Sequence, residues 1–410
     1  MPWKITETRA ARRRFIAAIL DKKQTFATAC RAAGISRKSG YKWWRRFRHD
    51  GQAGLQDRSR RSRWAETLRK RWREPVLNLR RRHDTWGGPK LHGYLSRRYR
   101  RAALPSVSTL TRWLAEAGLS RRRLRRSRPG PRVRWPAVVP ALRPNDVWTV
   151  DFKGSFRTQD GRRVFALTVR DAASHYVLVV RHVPKPDDAA VRAVFVRLFR
   201  HYGLPRAIQM DNGAPFGGPG PLGLSRLSVW WLRLGLQLKF SRPACPQDNP
   251  AHEQMHGVLK AEATRPSSAN PRAQQRRFER WRRLYNHVRP HAALANRSPG
   301  EHYRPSPRLY PLVLPNWSYP ANATMLCPGA NGRAWWQRRQ RMIGRAFAGE
   351  LLALLPISER CTHVHLGPFL IGTLHADDAA GLRPARRTQT SVPAREGAAP
   401  PPSNPPHFLK

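Results

Sequence analysis

The chain has 410 residues, of which 78 are Lys or Arg and 25 are Asp or Glu, giving a formal net charge of +53. A chain this basic repels itself unless a polyanion neutralises it, which excludes an ordinary metabolic enzyme as the default and points to nucleic acid as the partner, even when part of the Arg excess is assigned to a GC-rich coding bias. The length suits two to four domains, and 40% hydrophobic content can fill their cores.

The first sixty residues read as helical. Phe15, Ile16, Ile19 and Leu20 mark one apolar face, and a short helix runs from Thr25 to Ala33. After Gly34, Ser36 can cap a basic helix whose Trp43 and Phe47 form an apolar stripe at i, i+4. Helix, glycine turn and basic helix make a helix-turn-helix pattern, so residues 1–62 are expected to bind double-stranded DNA. Ser36, Arg37, Lys38, Tyr41, Lys42 and Arg45 would reach base edges and phosphates. A Gly-, Arg- and Ser-rich linker is expected over residues 51–64. Residues 63–119 form a second helical module, read either as another helix-turn-helix or as a spacer. It runs from Val76, Leu77 and Leu79 through the turn at Trp86-Gly87-Gly88-Pro89 to a helix capped near Ser106. Residues 120–143 carry an Arg run broken by Pro129 and Pro131, read as a linker that tracks phosphates.

From Asn145 the pattern changes. Strands are expected around Val147–Phe152, Arg163–Val169 and Tyr176–Val180, then a helix to Tyr202 and a strand over Arg206–Met210. A helix over Ser225–Leu234, a strand over Leu236–Phe240 and a helix from Asp248 to about Ala263 follow. This order predicts an α/β layer fold over residues 144–305. Residues 306–376 show short β-like runs and predict a small all-β domain, and residues 377–410 are Pro-, Ala- and Ser-rich and expected to be disordered. The four cysteines are widely spaced, which argues against a disulfide framework and for a reducing compartment. No apolar run is long enough to span a bilayer, so the expectation is a cytoplasmic, nucleoid-associated protein with no membrane partner.

In so basic a chain, acids at strand ends stand out. Asp151 interrupts an apolar strand, Asp211 follows the strand ending in Met210, and Glu253 lies on the helix after Pro250. An unpaired carboxylate buried in a strand is costly, and a metal ion would offset that cost. Three carboxylates converging on two divalent cations, Mg²⁺ or Mn²⁺, suit in-line phosphoryl displacement. Asp171 reads as a turn former and Asp248 as a helix cap. Glu262 lies nine residues beyond Glu253, which at about 100° per residue puts it on the opposite helix face. His252-Glu253-Gln254-Met255-His256 also spells the H-E-x-x-H of zinc proteases, a remote alternative that leaves the charge unexplained.

The segments WTVDFKG, RDAASHY, MDNG, SRPACPQ, HEQMHGVLKAE and YNHVRPHAAL, in this order, resemble bacterial insertion-sequence transposases of the DDE class. The N-terminal CRAAGISRKSGYKWW is similar to that family's helix-turn-helix. The resemblance implies an RNase H-like, retroviral-integrase-like core with Asp151, Asp211 and Glu253 as catalytic and metal-binding acids. It also implies Mg²⁺-dependent cleavage and strand transfer, and a homo-multimer that pairs transposon ends and joins them to target DNA. Lys153 and Lys260 are further DNA-contact candidates, and His291 is placed near DNA. Cys245, Pro250, Gln254 and Met255 depart from the family pattern, so a DNA-binding protein that has lost catalysis is the alternative.

Overall fold

The computed structural model describes residues 8–57, 63–120, 140–241, 249–378 and 381–385. They fall into two compact units, Met1–Trp72 and Arg73–Lys410. The Arg run expected to track phosphates, Cys245, Asp248 and the Pro-rich tail beyond residue 385 lie outside the described residues.

In the first unit, α1 (Thr8–Leu20), α2 (Phe26–Ala32) and α3 (Arg37–Asp50) enclose Phe15, Ile16, Cys30, Ile35 and Trp43. Thr25 and Ser36 cap α2 and α3 by accepting the Thr28 and Ser39 amides. Leu20 is exposed, so the apolar face of α1 ends at Ile19. The expected linker begins later than its composition suggests. A 3-10 turn over Gly51–Leu55 folds back, and Leu55 is buried. Arg12 holds it in place, donating to the Leu55 carbonyl at 3.0 Å and pairing with Asp57 at 2.8 Å. The guanidinium of Arg12 also lies 3.8 Å from the Trp43 ring centroid, and that of Arg46 lies 4.6 Å from it. Cation–π contact of this kind suits an indole that must be covered in a chain rich in Arg.

Helix α4 (Arg63–Arg82) leads to α5 (Gly88–Arg98) and α6 (Val107–Glu116), the last capped by Ser106. Trp86, Leu91 and Leu110 between them are fully buried. A five-stranded sheet follows. Its strands are β1 (Val147–Arg157), β2 (Arg163–Asp171), β3 (Val177–Val183), β4 (Ala207–Met210) and β5 (Gln237–Phe240), in the order β3-β2-β1-β4-β5. The first three pair antiparallel, and β4 and β5 join in parallel. Helices α7 (Asp188–Tyr202) and α8 (Arg226–Arg233) cover one face. Helices α9 (Pro250–Leu259) and α10 (Pro271–His287) cover the other. Alternation along the strands follows from their two-residue period. Trp148 and Val150 join Leu167 and Val169 on the α7–α8 side, while Val164 and Ala166 face α9 and α10. This is the expected α/β core, with α10 added. Its signal is legible in hindsight: Asn270-Pro271 opens it, and Phe278, Trp281 and Tyr285 supply the buried stripe.

After the short α11 (Pro299–His302) come β6 (Thr324–Leu326), a hairpin of β7 (Arg333–Trp336) and β8 (Arg339–Met342), and β9 (Leu352–Ser358), β10 (Cys361–Leu366), β11 (Phe369–His375) and β12 (Arg383–Pro384). The second sheet runs β12-β11-β10-β9-β6, all antiparallel. Its Leu352, Val364 and Leu374 join the apolar cluster of α7 and α8, so this small β module shares the core's interior.

A π turn over Lys260–Thr264 ends α9 and directs Glu262 away from the strand ends. Its carboxylate pairs with Arg289 at 2.5 Å, accepts the Trp281 indole N–H at 2.8 Å and bonds the Thr85 hydroxyl. Close packing of Gly93 against Asn296 and an Arg97–Glu301 pair at 2.7 Å add to the anchorage of α5 on the core. Arg289 and Glu262 side chains are 4% and 14% exposed, so removing the carboxylate strands a buried cation. Glu262→Ala should therefore lower unfolding free energy by about 3–5 kcal/mol, measured by urea denaturation; a loss under about 1 kcal/mol would show the pair to be dispensable.

Candidate active site and nucleic-acid interface

Asp151 lies on β1 opposite Thr168 of β2, and Thr149 lies opposite Arg170. These four form a polar stripe on the face beneath α9. Two histidines from α9 close over it, one turn apart and both buried. The Thr168 hydroxyl meets three partners: the Asp151 carbonyl at 2.9 Å, His252 Nε2 at 2.7 Å and His256 Nε2 at 2.8 Å. A carbonyl only accepts, so the one hydroxyl proton goes to Asp151 and both imidazoles donate through Nε2–H. His252 Nδ1 and the Thr149 hydroxyl lie 2.7 Å apart, and that hydroxyl also reaches the Arg170 carbonyl at 3.3 Å. The same accounting leaves His256 Nδ1 as a bare lone pair, 3.7 Å from Asp151 Oδ2.

The electrostatics agree with neutral rings. Burial depresses His252 well below the ordinary imidazole range, with His256 and Arg170 adding to it. Burial, followed by Lys153 and Arg170, brings His256 down to about 3. Asp151 moves the other way. Burial first, then the charges of Asp211 and Glu253, push its carboxyl up to about 7, against a backbone hydrogen bond and Lys153. Asp211 sits just past β4, its carboxyl raised by burial and opposed by the Gly213 amide, which donates at 3.3 Å. Glu253 is exposed in the first turn of α9. All three acids thus lie at one end of the sheet within electrostatic reach of Asp151. The tighter group, with donor atoms within 4.8 Å of one another, is Asp151 with His252 and His256.

The two histidines, which spell a zinc-protease motif in the sequence, lie in the structure beside Asp151, near enough to share one metal ion with it. Both ring nitrogens of His252 are engaged by threonines, His256 offers one free nitrogen, and Glu253 is exposed on the same helical turn. The polar stripe of Thr149, Thr168 and Arg170 was missed; its only sequence signal is a polar residue at every second position on both strands. Asp171 is a turn residue, accepting from Ser174 N at 2.7 Å and from Asn145 N at 2.7 Å. The cap residue of α9 is Asn249, and Pro250 takes the first helical turn, where its missing N–H costs nothing. Met255 fills the core under α9 and Gln254 is exposed. His291 packs edge-on against Tyr285, with ring centroids 4.6 Å apart. In the first unit Ser36, Arg37, Lys38, Tyr41, Lys42 and Arg45 are all exposed along the start and outer face of α3. Lys260 is exposed and Lys153 half-buried. Among the described residues, no helix is long and apolar enough to cross a membrane.

Family models described as integrase core domain match residues 141–246 and 234–299. A helix-turn-helix domain matches residues 11–63, and a homeodomain-like domain matches 39–114. The chain therefore carries an integrase core behind N-terminal helix-turn-helix domains. Among curated proteins it is similar to the insertion element IS407 uncharacterized 31.7 kDa protein of Burkholderia multivorans, at 29% identity over 55% of this chain and 78% of that one. It is also similar to the insertion element IS476 uncharacterized 39.2 kDa protein of Xanthomonas euvesicatoria, at 28% identity over 55% of this chain and 62% of that one. Among solved structures, the simian T-cell lymphotropic virus intasome in complex with PP2A regulatory subunit B56 gamma covers 72% of this chain and 97% of that chain. The identity is 17% and the TM-score 0.36, too slight a likeness to argue from. The domain matches and these relatives thus make the chain similar to proteins of bacterial insertion elements that carry an integrase core.

A carboxyl raised to about 7 from an unfolded value near 3.8 favours folding while protonated. That contribution is complete below about pH 4 and is lost as pH rises through about 7. Without divalent cation, wild type should therefore lose melting temperature relative to Asp151→Asn across this window. A difference that stays constant with pH would show that Asp151 titrates normally.

Proposed function

We propose that the chain is a DDE transposase that binds its element's ends through residues 1–119 and cuts and joins DNA at Asp151, Asp211 and Glu253. The observation that carries the reading is the charge crowding at Asp151. A half-buried carboxyl raised to about 7 by burial and by two further acids, on a chain of +53, fits a divalent cation better than a structural role. The all-oxygen donors of the three acids suit Mg²⁺ or Mn²⁺. Two such ions, when bound, would activate the attacking oxygen and stabilise the leaving oxygen of an in-line displacement.

The protein's own residues supply the rest. Asp151 is fixed by the β1–β2 register and the Thr168 hydrogen bond to its carbonyl. Asp211 and Glu253 come from a loop and a helix start, elements that can adjust as DNA enters. In the first step a water oxygen bonds to the scissile phosphorus and the strand leaves as a 3′-hydroxyl. In the second, that hydroxyl attacks a target phosphodiester, and the displaced target 3′-oxygen takes the proton. Lys153 and Lys260 lie where strands would pass, and the exposed α3 residues meet the groove and phosphates of the terminal sequence. Pairing of two ends calls for a homo-multimer, working in the cytoplasm on nucleoid DNA. The family departures at Pro250, Gln254 and Met255 leave all three carboxyls in place, which favours retained catalysis over decay.

On end-sequence DNA with Mg²⁺, wild type should join ends to target. Asp151→Asn, Asp211→Asn and Glu253→Gln should each lose roughly a thousandfold, the equivalent of several kcal/mol of transition-state stabilisation, with end binding intact. Equal inertness of wild type and variants, all still binding ends, would instead establish the decayed reading. Lys42→Ala or Arg45→Ala should reduce the slope of log affinity against log salt by about one in a fluorescence-anisotropy titration; an unchanged slope would remove α3 from the interface.

A further inference from the structure

We propose that His256 Nδ1 is a further ligand of the cation held at Asp151, and that it gives the site a preference for Mn²⁺ over Mg²⁺. The proposal rests on the reading of Asp151 as a metal-binding acid and adds a nitrogen donor to it.

The argument is one of hydrogen-bond accounting. Thr168 has one proton and two lone pairs, and its three partners use all of them. Because Asp151 O can only accept, Nε2 of His256 must carry the ring proton, and Nδ1 must carry a lone pair. That lone pair faces Asp151 Oδ2 at 3.7 Å, from a side chain only 3% exposed. Two acceptors facing each other at the edge of a buried stripe, with the Asp151 side chain 31% exposed, repel unless a proton, a water or a cation stands between them. Metal bonds to imidazole nitrogen and carboxylate oxygen are each about 2.0–2.2 Å, so two donors on one ion lie about 3–4 Å apart. The observed spacing falls in that span. His252 does not compete for this role, because Thr149 and Thr168 occupy both its nitrogens.

The ring is also held as ligating histidines are held. A second-shell group that fixes the tautomer through the other nitrogen is the usual companion of a metal-bound imidazole, and Thr168 supplies it. The same hydroxyl anchors the Asp151 backbone, so one residue sets the distance between both donors. The consequence for metal choice follows from ligand type. Mg²⁺ takes oxygen and dehydrates reluctantly, whereas imidazole suits later divalent ions. An integrase core built on carboxylates alone would lack this bias.

The test is pulsed electron paramagnetic resonance of Mn²⁺ bound to the full-length protein. The expected result is ¹⁴N modulation that changes to the ¹⁵N pattern when wild type is labelled with ¹⁵N-histidine, a comparison that needs no variant to fold. The modulation should vanish in His256→Gln, whose Mn²⁺ affinity by calorimetry should fall about tenfold while Mg²⁺ affinity changes little. Mn²⁺ that binds in an Asp151-dependent way without nitrogen modulation would overturn the ligand assignment and leave the carboxylate site standing. Nitrogen modulation that survives both His256→Gln and Asp151→Asn would place the ion elsewhere and overturn the assignment. Mn²⁺ binding that is indifferent to Asp151→Asn would overturn both the assignment and the metal site on which it rests.

Discussion

A carboxylate set into the middle of a buried strand is the constraint around which the second unit is arranged. Asp151 cannot turn to solvent without changing the register of β1, because a one-residue slip would put Trp148 and Val150 on the wrong face. Its side chain must therefore stay on the face under α9. Its neighbours there, Thr149, Thr168, Arg170 and two histidines, are all polar. Thr149 and Thr168 fill the stripe, and two imidazoles seal it. Apolar packing comes from other positions of α9, Met255 and Leu259, and from Ala263 in the π turn after it. The helix is thus divided by face: its histidines serve the stripe, and Met255 and Leu259 serve the core.

That division explains why Glu253 and Glu262 have different fates on one helical segment. Glu253 lies in the first turn beside the strand ends, exposed and close enough to raise Asp151. Glu262 lies in the π turn, where the wider winding carries it to Arg289, Trp281 and Thr85. One acid lies near Asp151 and the other fastens α5 to the core. Scarcity of acids in a chain with 78 basic residues makes both assignments more telling, since any free carboxylate has many Arg side chains to pair with. Glu262 takes that option and Asp151 does not: the pull of Lys153 on it is outweighed by burial and by two acids.

Much of this was legible in the sequence because it rests on local rules. Ser36 and Ser106 announced helix starts, alternation around Trp148 and Val150 announced β1, and the acids at strand ends announced the site. Other features depend on contacts remote in sequence. Gly51–Leu55 has the composition of a linker, and only its fit against Arg12 makes it part of the first unit. Helix α10 has so many Arg residues that its apolar stripe is diluted, yet Phe278, Trp281 and Tyr285 suffice once the β2–β3 face is there to meet them. The threonines of the stripe were invisible for the opposite reason: threonine is an ordinary strand residue, and its role comes from a helix about a hundred residues away.

The histidines show why motif and mechanism must be separated. H-E-x-x-H spacing puts both imidazoles on one helix face, and that much of the motif's physics holds here. A zinc site would need both rings to keep a free nitrogen toward a common point. Here both His252 nitrogens hydrogen-bond threonines, and Thr168 meets Nε2 of each ring. What survives is a single lone pair aimed at a carboxylate whose ionisation is already resisted. A proton shared between Asp151 and His256 would satisfy the pair in isolation. It would also neutralise the very oxygen that phosphoryl chemistry needs as a donor. A cation satisfies the same two atoms while keeping the carboxylate charged and drawing in Asp211 and Glu253, whose charges otherwise push Asp151 toward its neutral form. A proton and a cation therefore compete for the same two atoms, and the proposed metal site is the outcome in which the cation holds them.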